Sequence, residues 1–189
     1  MQFPRRCSLL LELRPGIFAY YQIKESREEA RIQHLVEVVQ QFDQPPYSDI
    51  RIRLAAQRID TKQRIVRPLN VEDPPGEMID LIDFFQHVGL LVRRGYLDEG
   101  DVYGEFADPM FLLYTDARPL IDARQKEEPA VWGDFTDLMQ AMVRIDQEDN
   151  AGVGNHPSQE DIYEEYNADA QVPTGGPLPV NRHAPRTKK

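Results

Sequence analysis

Apolar residues recur at Met78, Leu81, Ile82, Phe85, Val88, Gly89 and Val92. This is the three–four spacing of one helical face, and it predicts a helix over 77–94. Gly95 supplies a stop where a positive φ costs little. Asp98 follows as a side-chain cap for the next helix. Val102, Tyr103 and Phe106 give that helix its apolar side. Asp108-Pro109 reads as a break and a new first turn. Met110, Leu113, Tyr114, Ala117, Leu120 and Ile121 then continue the period, with a kink expected at Pro119.

The flanking segments follow the same logic. Ser26 and Glu29 have capping-box spacing. Ile32, Leu35, Val36, Val39 and Phe42 form one face behind them, so a helix is expected over 26–42. Pro45-Pro46 ends it. Residues 48–59 alternate at Ile50, Ile52 and Leu54 as a strand would, yet Ser48 is a good cap and Ala55 and Ala56 favour helix. Helix is the reading adopted. Residues 60–76, rich in proline, form an irregular connection in which Ile65 and Val66 are a short extended piece. Asp134 caps a last core helix carrying Phe135, Leu138, Met139, Met142 and Ile145.

These elements give an all-α fold, a compact bundle of about five to six helices. Residues 1–19 are a loose leader, 20–147 the helical domain and 148–189 a mostly disordered tail rich in acidic residues, proline and glycine. Such a tail buries too little apolar surface to offset its ordering entropy. One island inside it has helical spacing: Ser158 as cap, with Ile162, Tyr163 and Tyr166 on one face. It is a candidate interaction motif that folds on a partner. The expected core includes Leu35, Val39, Ile82, Phe85, Val88, Tyr114, Ile121, Phe135 and Leu138.

The chain has 189 residues, a formal charge of -10 and one cysteine, Cys7. Its length fits one domain. The acidic balance argues against a general nucleic-acid binder, which must neutralise phosphates. A lone cysteine forms no intrachain disulfide and fits a reducing, cytoplasmic setting. Glu12 and Arg14 interrupt the apolar run after Arg5-Arg6, so neither a signal core nor a membrane span is predicted, and peripheral membrane association is the most that the leader allows.

Catalytic chemistry is not visible. His34, His87, His156 and His183 are scattered and no cysteine cluster exists, so no metal site is expected. There is no phosphate-binding glycine loop and no nucleophile elbow, and no cofactor is expected. Cys7 lacks an apparent base. Glu77, Asp80 and Asp83 line one side of the 77–94 helix, as a solvated face does. An enzyme using Asp80, Asp83 and His87 is the third-ranked reading. A winged-helix reading of 90–95 fails because Tyr96-Leu97-Asp98-Glu99 turns into a helix and the charge is wrong.

One feature stands against the acidic background: Arg51, Arg53, Arg58, Lys62, Arg64 and Arg67. The plain account is a solvated face that pairs with acidic neighbours or with the tail. The functional account is a patch for an anionic partner: nucleic acid, lipid headgroups or an acidic protein.

The run Ile82 to Asp98, with Gly89-Leu90-Leu91, Arg94-Gly95 and then the acidic cap, resembles the DUF4760-like family of small bacterial helical proteins. Tyr103, Phe106, Tyr114, Arg124, Trp132 and Phe135 extend the likeness over roughly residues 26–145. The resemblance implies an all-α fold and names no catalytic residue. Relatives often carry an N-terminal membrane helix, from which this short, charged leader departs. The function expected is a non-enzymatic protein-interaction or regulatory module whose partner is another protein. The alternative is the anionic partner of residues 51–67.

Overall fold

The apolar stripe at 77–94 forms a helix whose stripe is buried. In the computed structural model, which describes residues 9–149 and 157–171, it is helix α3, Gly76–Arg93. The other described helices are α1 (Leu9–Asp43), α2 (Tyr47–Arg58), α4 (Glu99–Glu127), α5 (Gly133–Asp149) and α6 (Gln159–Ala170). Two short strands, β1 (Ile59–Asp60) and β2 (Ile65–Val66), pair antiparallel as Ile59 with Val66 and Asp60 with Ile65. The all-α expectation holds, and the hairpin is the only departure from helix among the described elements. No described helix is long and apolar enough to cross a membrane.

Aromatic rings mark the centre of the core. Phe42 of α1 lies 5.2 Å from Phe84 and 5.5 Å from Phe85, centroid to centroid. Phe85 in turn lies 5.8 Å from both Phe106 of α4 and Phe135 of α5. Four helices therefore meet at one cluster, at separations where edge-to-face and tilted ring pairs are favourable. Ile82, Phe85, Val88, Ile121, Phe135 and Leu138 are buried as expected, whereas Leu35, Val39 and Tyr114 are only half-buried at its edge.

Turn chemistry joins α3 to α4 as the sequence predicts. Gly95 has φ of 74°, the left-handed region that glycine enters at little cost. Its N–H bonds the Val92 carbonyl, and the Tyr96 N–H reaches back to Leu91. Asp98 Oδ1 accepts from the Gly100 N–H at 2.9 Å and caps α4.

Four expectations are corrected. First, the leader is not loose over 9–19, and Ser26 does not start a helix: α1 runs unbroken from Leu9. Second, Asp108-Pro109 is no break. Helix α4 continues through Pro109 and Pro119 because Phe106, Met110, Leu113, Ala117, Leu120 and Ile121 bury one continuous stripe. Pro119 itself is exposed, so the bond it forgoes is replaced by solvent more cheaply than in a core. Third, Ser48 is buried within α2 and Pro46 occupies the cap position. Fourth, the expected tail is structured over 159–170, where α6 packs on α2 and on both strands. Cys7, His156 and His183 lie outside the described residues, as do tail segments 150–156 and 172–189.

A close backbone approach sits between α3 and the start of α5. A Cβ placed on Gly89 would lie 2.3 Å from the Asp134 carbonyl oxygen. Around that contact, Gln86 Nε2 donates to Asp134 Oδ2 at 3.0 Å and Gln86 Oε1 accepts from the Phe135 N–H at 2.9 Å. Arg93 Nε reaches Asp134 Oδ1 at 3.0 Å. The side chain of Gln86 thus satisfies an N–H that the helix start leaves free. Gly89→Ala is expected to push α5 outward and lose about 1–3 kcal/mol, the range for overpacking. Urea denaturation of the full chain measures it. A loss under about 0.5 kcal/mol, within ordinary surface variation, would show that α5 yields freely.

Candidate functional site

The six cations of the basic stretch are distributed over α2 and the hairpin, and the fold uses most of them internally. The Arg51 guanidinium stands 4.0 Å from the centroid of the Phe42 ring and 3.6 Å from Asp43 Oδ1. Arg53 Nε donates to Glu77 Oε1 at 3.1 Å. Backbone hydrogen bonding at the start of α3 holds the Glu77 carboxyl below its usual range, aided by Gln57 and Arg53 and opposed by desolvation. Arg67 donates to the Gln57 carbonyl at 2.9 Å. Lys62 is exposed, and its backbone N–H bonds Asp60 Oδ1. The plain account of this stretch, cations paired with acidic neighbours, is what Arg51 with Asp43 and Arg53 with Glu77 show.

Arg58 is the sharpest departure. It is buried, and it donates through Nε to Asp116 Oδ2 at 2.9 Å and through a terminal nitrogen to Asp116 Oδ1 at 2.6 Å. This two-pronged geometry matches the guanidinium fork to the carboxylate. The Tyr166 hydroxyl donates to the same Oδ2 at 2.9 Å. Burial first, and then the Asp116 charge, push the Tyr166 phenol well above its ordinary value, so it stays a neutral donor. The triad joins α2, α4 and α6.

Arg64 makes the second link to α6. It donates to Glu164 at 2.6 Å, and its guanidinium lies 5.7 Å from the centroid of the Tyr163 ring. The two candidate sites of the sequence, the cations of 51–67 and the Ile162, Tyr163, Tyr166 motif, therefore meet. Ile162 is 0 % exposed, Tyr163 5 % and Tyr166 4 %. As an unoccupied interaction motif they are corrected: this chain already buries them. Ser158 and Asp161 form a reciprocal capping box that starts α6 where the sequence places it.

Burial of Ile162, Tyr163 and Tyr166 in the core carries the docking of α6, and charge complements it. Helix α6 carries Glu160, Asp161, Glu164, Glu165 and Asp169 and no lysine or arginine, facing the most cationic segment of an acidic chain. Arg64 meets α6 directly through Glu164, while Arg51, Arg53 and Arg58 pair with Asp43, Glu77 and Asp116. Pairing of the basic stretch with the tail is part of the plain account drawn from the sequence, and the fold realises it through Arg64 and Glu164.

The residues proposed for catalysis do not converge. Asp80, Asp83 and His87 are exposed, and Asp83 Oδ1 is occupied by the Trp132 indole N–H at 2.7 Å. A cleft of about 250 Å³ lies elsewhere, between α4 and α6, lined by Asp108, Phe111, Leu112, Asp161, Glu164 and Glu165 among others. Among the described residues no cluster of histidine, cysteine or carboxylates has metal-holding geometry.

Helix α1 offers the other unusual surface. Its C-terminal part docks: Val38 and Phe42 are buried, and Arg31 Nε donates to the Gly95 carbonyl at 3.4 Å. The His34 ring packs edge-on against Tyr96, with centroids 5.9 Å apart. Residues 19–30 are all exposed. Tyr20, Tyr21, Ile23, Ile32 and Val36 of α1 are exposed large hydrophobic side chains, a group joined elsewhere in the described chain only by Ile65 and Tyr96. Apolar counting assigned Ile32 and Val36 to the core face, since periodicity does not say how far a helix outruns its domain.

Comparison with known proteins adds one finding. A family model described as a domain of unknown function, DUF4760, matches residues 11–142. No curated protein and no solved structure matches the chain. The matched span takes in the Gly89 contact, the Gly95 turn and the Arg58–Asp116 pair, and the chain belongs to the DUF4760 family.

Proposed function

We propose that this protein is a non-enzymatic protein-interaction module that presents helix α1 to its partner. The observation that carries this reading is the exposed apolar side chains on α1: Tyr20 at 66 %, Tyr21 at 63 % and Ile23 at 55 %. Helices in water draw most of their stability from tertiary packing of an apolar face. Residues 19–30 have no such packing among the described residues. A partner surface would supply it, and tyrosines are favoured at interfaces because they bring large contact area with a polar tip. Asp80, Asp83 and His87 lie exposed on α3, with Asp83 Oδ1 taken by the Trp132 indole N–H.

The test replaces Tyr20, Tyr21 and Ile23 together by serine in the full chain. The domain is expected to keep its unfolding midpoint within about 0.5 kcal/mol of wild type, because these side chains touch no core. Affinity capture followed by mass spectrometry should lose the partner at least tenfold relative to the unaltered chain. Equal recovery from both chains would refute the role of α1.

A further inference from the structure

We propose that the exposed part of α1 pairs antiparallel with α1 of a second copy of this chain, so that the partner presented to α1 is the protein itself. The inference rests on the reading of α1 as the interaction helix and names its occupant.

The order of residues along one exposed face carries it. Tyr21, Lys24, Glu28 and Ile32 follow one another at spacings of three, four and four, so they share one side of the helix. All four are exposed. From its N-terminal end the face reads aromatic, cationic, anionic, aliphatic. From its C-terminal end it reads aliphatic, anionic, cationic, aromatic. A second copy laid antiparallel about the level of Ser26 therefore meets each step with its complement. Lys24 faces the partner's Glu28, and Glu28 faces the partner's Lys24. Tyr20 and Tyr21 come level with the partner's Ile32, and the reverse contact forms at the other end. A parallel copy in register sets lysine on lysine and glutamate on glutamate. The charges thus select one direction, as polar positions do in paired helices.

The face is not engaged by the fold. Lys24 and Glu28 form no ion pair among the described residues. Arg51, Arg53, Arg58 and Arg64, by contrast, each hold a carboxylate of their own chain. Lys24 and Glu28 are also neighbours four apart on one helix, but with the lysine first, which is the weaker order for an ion pair within a helix. A glutamate from a second helix offers Lys24 the better arrangement.

Symmetry closes the contact at two copies, because a two-fold interface uses the same patch on both sides. Each apolar and each charged contact occurs twice. The interval from Tyr20 to Ile32 is about 18 Å at the rise of an α-helix. Exposed ion pairs contribute little to affinity. Tyr20, Tyr21 and Ile32 therefore supply the attraction, and Lys24 and Glu28 fix register and direction.

Sedimentation equilibrium of the full chain over a range of concentrations tests this. The mass should rise from the monomer value towards twice that value. Lys24→Glu and Glu28→Lys, each alone, should weaken the dimer at least tenfold. An equimolar mixture of the two variants should recover it, because each chain then supplies the charge that the other lacks, and so should both substitutions in one chain. Direction is read by cross-linking in a Cys7→Ser background. Tyr20→Cys and Ile32→Cys chains, mixed and oxidised, should give the 20–32 disulfide in excess of 20–20 and 32–32. A chain that stays monomeric at every concentration overturns the proposal. If capture of another protein still depends on Tyr20, Tyr21 and Ile23, the role of α1 stands with a different partner. A dimer indifferent to both charge reversals, or one cross-linked chiefly 20–20, also overturns it. So does a dimer that survives serine at Tyr20, Tyr21 and Ile23, since its contact then lies elsewhere.

Discussion

Replacing Phe85 by alanine lowers the stability of the full chain by about 3–5 kcal/mol, the range for truncating a buried aromatic. Phe85 is 1 % exposed and its ring neighbours those of Phe42, Phe84, Phe106 and Phe135. The loss has two parts. The ring's apolar surface no longer leaves water on folding, and the space it occupied is refilled only in part. Collapse into that space is hindered because the neighbours come from α1, α3, α4 and α5, so no single helix shift closes it. Denaturant unfolding followed by circular dichroism gives the value. A loss below about 1 kcal/mol would place Phe85 outside the core that organises the bundle. Domains are stable by only about 5–15 kcal/mol, so this one change consumes a large share of the total.

Asp116→Ala is the second large effect, also about 3–5 kcal/mol, for a different reason. The substitution removes little apolar volume. It leaves the Arg58 guanidinium, which is 4 % exposed, without its carboxylate, and it orphans the Tyr166 hydroxyl. The penalty comes from the uncompensated buried charge more than from the bonds themselves. Tyr166→Phe is the control. It removes one hydrogen bond to a charged acceptor and leaves the Arg58 pair intact, so about 1.5–3 kcal/mol is expected. The same denaturation experiment ranks the two. Equal losses would mean that the hydroxyl, and not the charge, sets the cost.

The parts of this fold that the sequence displays are those governed by local rules. The α3 stripe, the Gly95 turn, the Asp98 cap and the Ser158 start of α6 all follow from spacing and short-range hydrogen bonding. What it conceals is tertiary. Pro109 reads as a stop because proline removes a hydrogen bond, yet the stripe it lies among is long enough to outweigh that loss. Arg58 reads as one cation among six because the carboxylate that buries it is 58 residues away. Ile162, Tyr163 and Tyr166 read as a motif awaiting a partner because composition around them is that of a disordered tail. Periodicity reports that a helix has a face, and says nothing of whether the same chain supplies the surface for it. Pairing of the basic stretch with the tail was legible in the sequence, and the residues that make it, Arg64 and Glu164, were not.

Gly89 shows how differently a position weighs in pattern and in space. In a hydropathy profile it is nearly neutral, and a reader of α3 would sooner guard Phe85 or Val88. The Asp134 carbonyl beside it makes 89 the place where any side chain must displace backbone. An apolar core position accepts several substitutes at some cost, whereas a backbone in contact with a backbone leaves no atom to trade. Among sequences of this family, any larger residue at that position would by itself signal an α5 set further from α3.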